Sequence, residues 1–369
     1  MSDNLRRYCD ILAALKRLCR TEPKGNHARH LTTLALLISG IVGSKKCQLP
    51  AIATKSAHSS LRESRIKRLA RFLQNARITP EVYFLPYVQA LLHSLPEGPL
   101  VLVMDGSGVG RGCLALVVSV VYKKRALPLG WIVVSGEKGH LGDATHQQLL
   151  EQVAVRLPPG REVIFLGDGE FDGIGLLAAV TQQGWQFVCR TQKNVVLFEG
   201  EEDFRLSWLN LKPGEAIPLD DVFFTQEGFG PLLCVACWDK RYKEPLYLVS
   251  NLQLWQEAVY WYKKRFQIET FFSDQKSRGF GLSKSHLSDP ARLCRLLMAT
   301  CLAYIWMVCL GVRMVVSGKL PLIHRTHRCD LSLFQIGLLW LEHCLNEGLP
   351  IPVGFRIPPS RADSKSVRY

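Results

Sequence analysis

Leu100-Val-Leu-Val-Met-Asp105 and Val163-Ile-Phe-Leu-Gly-Asp168 are short apolar runs that each close on a carboxylate. Runs of this length without polar interruption read as strands buried on both faces. After the first, Cys113–Tyr122 and Leu127–Val134 read as two more strands, joined by short turns bearing Gly, Lys or Arg, so the three form an antiparallel meander. Asp143 then predicts an N-cap for a helix over Ala144–Arg156. Beyond the second run, a helix over Ile174–Gln183 and a strand over Trp185–Arg190 are expected.

Three strands, a helix, a strand, a helix and a strand is the order expected of a ribonuclease-H-like α/β fold: a mixed sheet flanked by helices, with carboxylates at the ends of its first and fourth strands. The break Leu95-Pro-Glu-Gly-Pro99 sets this core off from residues 1–95, where apolar positions recur at helical spacing over Leu5–Leu18 and Leu31–Val42 and no strand alternation occurs. Residues 191–252 change to short apolar runs broken by Pro213-Gly, Asp220-Asp and Glu227-Gly, which predicts a β-rich insertion. A long helix is expected from near Leu254. The division is then an all-α N-terminal domain (1–95), a catalytic core (96–190 and 253–315) interrupted by the insertion (191–252), and a C-terminal region (316–369) to whose end, after Pro350, no role is assigned.

Charge follows the same division. The 369 residues carry 46 Lys and Arg against 32 Asp and Glu, a net +14. Residues 1–95 hold 16 basic and 5 acidic side chains and residues 276–369 hold 13 and 5, whereas residues 96–275 hold 17 and 22. Two basic flanks around a carboxylate-richer centre suit a polyanion-binding protein whose core binds metal. Arg65 and Arg68, with Arg62, Lys67 and Arg71, lie on a basic amphipathic segment before the core and are candidate DNA contacts; a solvated basic face is the plainer reading of the same residues.

The 12 cysteines are scattered singly through apolar stretches and no signal-like run opens the chain, so reduced, buried thiols are expected. Cys234-x-x-Cys237 has no second pair to complete a zinc site, and His324, His327 and Cys329 are poorly spaced for one. Leu296–Val312 is uncharged but only 17 residues long. That is marginal for a bilayer, so a buried helix of a protein without membrane contact is expected instead.

The chemistry concentrates in Tyr262-Lys-Lys-Arg-Phe-Gln-Ile-Glu-Thr-Phe-Phe-Ser-Asp-Gln-Lys276. On a helix turning about 100° per residue, Tyr262, Arg265, Glu269 and Lys276 fall within roughly 60° of one another. Apolar Phe266, Ile268, Phe271 and Phe272 flank the stripe. An exposed amphipathic helix with an i,i+4 Arg–Glu pair would look similar; the two upstream carboxylates distinguish this case. With Asp105 and Asp168, Glu269 completes three hard oxygen ligands suited to two Mg²⁺ or Mn²⁺ ions, which serve phosphodiester transfer. Arg265 and Lys276 would contact phosphate, and Tyr262 a base or a phosphate. Asp168, Glu170 and Asp172 compete for the second ligand position, and Asp168 is preferred because it directly ends the strand.

Tyr-x2-Arg-x3-Glu-x6-Lys resembles the signature of the insertion-sequence-four group of bacterial DDE transposases, and Leu166-Gly-Asp-Gly-Glu-Phe-Asp172 and Met104-Asp-Gly-Ser-Gly108 resemble that group's second and first Asp motifs. The resemblance covers about residues 60–310. It implies a cut-and-paste DNA transposase with Asp105, Asp168 and Glu269 as metal ligands, and with Tyr262, Arg265 and Lys276 at the DNA. It further implies double-stranded terminal inverted repeats and target DNA as partners, a homodimer on DNA, and a place in the cytoplasm at the nucleoid. A tryptophan of the insertion often supports a flipped base in this group; Trp208 and Trp238 lie there but are read as core residues. The alternatives are a relative that binds DNA without cutting it, and a kinase-like ATPase using Asp105-Gly-Ser-Gly as a phosphate turn, which leaves the Tyr-Arg-Glu-Lys stripe unexplained.

Overall fold

Among the described residues six helices precede the first strand: α1 (Asp3–Arg17), α2 (Gly25–Ser44), α3 (Leu49–Thr54), α4 (Arg62–Gln74), α5 (Pro80–Tyr83) and α6 (Leu85–Leu92). Proline in the first turn of α3, α5 and α6 gives each a pre-set φ where the N–H has no intrahelical partner. The computed structural model describes residues 1–19, 21–57, 59–136, 141–325 and 328–359. His327, one of the poorly spaced zinc candidates, and residues 360–369 of the tail lie outside them.

Strands β1 (Leu100–Gly110), β2 (Cys113–Tyr122) and β3 (Arg125–Ser135) form the expected meander. Helix α7 (Asp143–Ala154), strand β4 (Val163–Gly167), helix α8 (Ile174–Gln182) and strand β5 (Gln186–Arg190) follow. β4 lies parallel to β1, and β5 parallel to β4. The order β3-β2-β1-β4-β5, flanked by helices, is the ribonuclease-H-like arrangement. Asp143 differs from its expected role: Gly142 is the N-cap of α7, and Asp143 is the first helical residue.

The β-rich stretch does not form a separate layer. Strands β6 (Val196–Glu199), β7 (Glu202–Arg205), β8 (Ala216–Phe224), β9 (Phe229–Cys237) and β10 (Leu246–Ser250) continue the same sheet, because β10 pairs antiparallel with β5. Among the described residues the sheet has ten strands in the order β3-β2-β1-β4-β5-β10-β9-β8-β6-β7.

The long helix expected from Leu254 is two, α9 (Trp255–Tyr262) and α10 (Gln267–Gln275). Helix α11 (Pro290–Val316) starts with Asp289 accepting from the Arg292 amide, and α12 (Leu333–Asn346) with a reciprocal capping box between Ser332 and Gln335. Among the described residues α11 is the one helix long and apolar enough to cross a membrane, yet 89% of its most apolar window is buried within the fold. Its surroundings are β3, α2, α4 and α12, so the uncharged stretch forms the central strut of the core. Gly311 on α11 faces the Leu333 carbonyl and Gly337 on α12 faces the Met307 carbonyl so closely that a Cβ at either position would overlap the oxygen.

The C-terminal segment has a structural place as far as it is described. Trp306 Nε1 donates to the Pro352 carbonyl (3.0 Å), the Ile357 amide to Ser94 Oγ (2.8 Å) and Arg17 to the Val353 carbonyl (3.2 Å). The Phe355 ring packs on Tyr87 at 4.9 Å. This strap binds α1 and α6 to α11, and the helical N-terminal region shares one continuous hydrophobic core with the sheet.

Candidate active site

The register of β1 against β4 explains why two carboxylates distant in sequence meet. Pairing runs from Leu100↔Val163 to Val103↔Leu166. Asp105 and Asp168 each lie two residues past the last pair, so a side-chain period of two directs both to one face. Asp105 does not end its strand, as the sequence suggested: β1 continues to Gly110 because β2 stays paired with it. What ends there is the β1–β4 pairing, and the opening between the two strands is the site. At Gly167 a Cβ would overlap Phe171, so glycine lets the chain fold back sharply after β4, with the Phe171 amide donating to the Asp168 carbonyl at 3.0 Å.

Each aspartate uses one oxygen locally. Asp105 Oδ1 accepts from the Gly106 amide (2.7 Å) and Asp168 Oδ1 from the Glu170 amide (3.1 Å). The second oxygen of each turns to the same guanidinium: Arg265 Nη1 stands 3.8 Å from Asp105 Oδ2 and 3.7 Å from Asp168 Oδ2. Arg265 Nη2 donates to Glu269 Oε1 at 2.8 Å. Three carboxylates from three elements thus converge on one cation.

The turn between α9 and α10 sets this up. The amides of Lys264, Arg265, Gln267, Ile268 and Glu269 each bond the carbonyl three residues back. A winding of three residues per turn stacks residues i and i+3, which aligns Tyr262 with Arg265. The regular turn of α10 then places Glu269 four residues on. Ile268, Phe271 and Phe272 are buried and α10 packs on β1, β2 and β3, anchoring its other face. Lys276 is outside the helix, at its C-cap, so the stripe is not one continuous helical face. Its ammonium still returns to the site, donating to Ser107 Oγ at 2.6 Å. Ser107 is two residues beyond Asp105 on the same face of β1.

Burial, and then the nearby Asp168, pushes the Asp105 carboxyl up to about 6, against the opposing charge of Arg265. Burial works against the Arg265 charge, yet Tyr262, Asp168, Asp105 and Glu269 together raise it above its ordinary value. Burial pushes the Tyr262 hydroxyl up to about 12, so Tyr262 is a neutral hydrogen-bonding group at physiological pH.

Of the three acidic residues after β4, only Asp168 pairs with Arg265. Glu170 Oε1 accepts from the Leu141 amide (3.1 Å) and stands 3.9 Å from His146 Nε2. The Asp172 carboxyl is raised by burial. Arg65 and Arg68 are not at this site: both are half-buried, donating to the Ser56 carbonyl (3.2 Å) and Thr33 Oγ1 (3.2 Å) within the N-terminal helices. The cations of α4 that face solvent are Arg62, Lys67 and Arg71. Trp208, expected in the core, is 64% exposed; Trp238 is half-buried, its indole donating to the Tyr242 carbonyl.

Sequence reasoning missed Ser107 and Arg190. Pairing of β4 with β5 ends at Gly167↔Cys189, which puts exposed Arg190 beside Asp168. An open groove of about 760 Å³ runs from Asp168 past Arg190, Thr191 and Lys193 to Tyr247. The signal that would have found Arg190 is strand register, which is not legible in one sequence.

The donor set has the chemistry of a hard divalent cation site, since three carboxylates supply only oxygen. With the Arg265 guanidinium between them, no three His, Cys, Asp or Glu side chains among the described residues stand close enough to share one ion.

A family described as Transposase DDE domain matches residues 96–306, from just before β1 into α11. Comparison with curated proteins gives no match. Among solved structures, the cryo-EM structure of a piggyBac transposase synaptic complex with hairpin DNA is similar at 12% sequence identity and a TM-score of 0.47, over 98% of this chain and 85% of that one.

Proposed function

The chain belongs to the transposase DDE domain family, and on that premise we propose that it is a metal-dependent DNA transposase of the insertion-sequence-four group that moves its element by a cut-and-paste route. The observation that carries this reading is the convergence of Asp105, Asp168 and Glu269 on Arg265. A structural ion pair needs one carboxylate; three around one guanidinium leave excess negative charge that a divalent cation would neutralise.

Asp105, Asp168 and Glu269 are the residues that would hold Mg²⁺ or Mn²⁺. Two such ions, when bound, supply activation of the attacking oxygen and stabilisation of the leaving one. The chain's own residues do the positioning. Arg265 and Lys276 orient the scissile phosphate by charge-assisted hydrogen bonds, and Tyr262 offers a neutral hydroxyl or ring beside it. Arg190 and Lys193 give the neighbouring nucleotides a cationic groove wall. The solvent-facing Arg62, Lys67 and Arg71 hold the DNA backbone away from the reaction.

The partners are double-stranded terminal inverted repeats and target DNA, engaged by a homodimer on DNA in the cytoplasm at the nucleoid. Nothing in the site favours the kinase-like alternative, and the three acidic residues gathered around Arg265 argue against a relative that binds without cutting. The test is strand cleavage of a duplex carrying the element's own flanking inverted repeats, with Mg²⁺ or Mn²⁺. Wild-type chain cuts and Glu269→Ala binds without cutting; binding without cutting by the wild type would leave only the non-catalytic reading.

A further inference from the structure

Arg265 has two demands on it that cannot both be met. Its guanidinium lies between Asp105, Asp168 and Glu269, and the same group is the one placed to receive a DNA phosphate. An ion that approaches carboxylate oxygens to about 2.0–2.6 Å must enter the space where Arg265 Nη1 stands 3.8 Å from Asp105 and 3.7 Å from Asp168. Like charges at that range repel strongly in a half-buried site.

The contacts are unequal in a way that bears on this. At 2.8 Å, Arg265 is hydrogen-bonded to Glu269, its neighbour on the next helical turn. At 3.7 and 3.8 Å it is beyond hydrogen-bond distance of both aspartates. Charge alone holds it to them, and their other oxygens are already engaged by backbone amides. Leaving the aspartates therefore breaks no hydrogen bond, and a phosphate can replace both as the acceptor of the guanidinium's free edge.

Resting on the transposase reading, we propose that Arg265 is an exchangeable counter-ion: it stands in for metal among the three carboxylates and is drawn away by a DNA phosphate, so that DNA and metal binding strengthen one another. The coupling is reciprocal, because two ligands that share one competing group must raise each other's affinity by the same factor. A chain without DNA then holds metal weakly, and the site is completed for chemistry only on its substrate.

The test is calorimetric titration of Mn²⁺ into the full chain, with and without a saturating DNA duplex of arbitrary sequence, since backbone phosphates suffice. Wild type should bind Mn²⁺ more tightly with the duplex by a factor within the roughly 5- to 150-fold range of site–site coupling. With the heat of Mn²⁺ binding to duplex alone subtracted, Arg265→Gln should bind Mn²⁺ more tightly than wild type without DNA and lose the coupling, and Asp105→Asn should weaken Mn²⁺ binding to the chain with and without the duplex. If Asp105→Asn weakens Mn²⁺ binding but Arg265→Gln does not strengthen it, Arg265 is a fixed clamp and the exchange is overturned while the metal site stands. If Asp105→Asn leaves Mn²⁺ binding unchanged, the exchange and the transposase reading both fall. Should Arg265→Gln not fold, the wild-type pair of titrations decides alone: equal Mn²⁺ affinity with and without duplex overturns the proposal.

Discussion

At the scale of single residues, the site is defined by which oxygen faces which nitrogen. Substituting Asp105, Asp168 or Glu269 by the corresponding amide should lower strand cleavage by about 10²-fold or more, with the DNA-binding constant, measured by filter binding, changed far less. Asp105 also sets a pH dependence. Its carboxyl is raised to about 6 by burial and by Asp168, so the proton is held more tightly in the folded chain than in the unfolded one. A metal must displace that proton, so Mn²⁺ affinity should be flat above about pH 6 and fall as pH drops below it; affinity that is constant from pH 5 to 7.5 would contradict the assignment. That these three carboxylates would come together was legible in the sequence, because two end apolar runs and the third sits at helical spacing from Arg265. Ser107 and Arg190 were not, because their neighbours come from strand register, and Trp208 was misread because an exposed tryptophan and a buried one look alike in a string of letters.

Individual helices carry a different kind of information. The basic segment of α4 was recognisable from composition, but Arg65 and Arg68, the two expected at the DNA, point inward to Ser56 and Thr33. Replacing Arg62, Lys67 and Arg71 with Gln should weaken DNA binding and reduce the dependence of log K on log salt by about 0.9 for each phosphate no longer neutralised. Arg65→Ala and Arg68→Ala should instead lower thermal stability. The crossing of α11 and α12 gives a prediction whose sign separates two effects. Helix propensity alone makes Gly→Ala stabilising by about 1 kcal/mol, whereas a Cβ at Gly311 or Gly337 overlaps a facing carbonyl oxygen. Gly311→Ala and Gly337→Ala should therefore destabilise by about 1–3 kcal/mol, the cost of overpacking, read from denaturant unfolding. The α9–α10 break was not visible in the apolar pattern, since a tightened turn of three residues keeps the same side chains on nearly the same face.

For the whole molecule, the order of elements made the ribonuclease-H-like half legible, and the β-rich character of residues 191–252 as well. That these strands extend the same sheet was not, because the β5–β10 pairing links segments with no local sequence signal. Nor was the strap from Ile351 to Ile357, whose apolar residues are too few and too close to proline for a periodic pattern. Phe355 is 1% exposed against Tyr87, so Phe355→Ala should cost about 3–5 kcal/mol of stability without altering the carboxylates. On the function proposed above, β1, the end of β4 and α10 together build one metal site. Cleavage by Asp105→Cys in Mg²⁺ and in Mn²⁺ tests it most directly, because a thiolate is a poor ligand for hard Mg²⁺ and a better one for Mn²⁺. Loss of cutting in Mg²⁺ with recovery in Mn²⁺ is the predicted result; equal activity in the two metals, at wild-type level, would contradict direct metal ligation by Asp105.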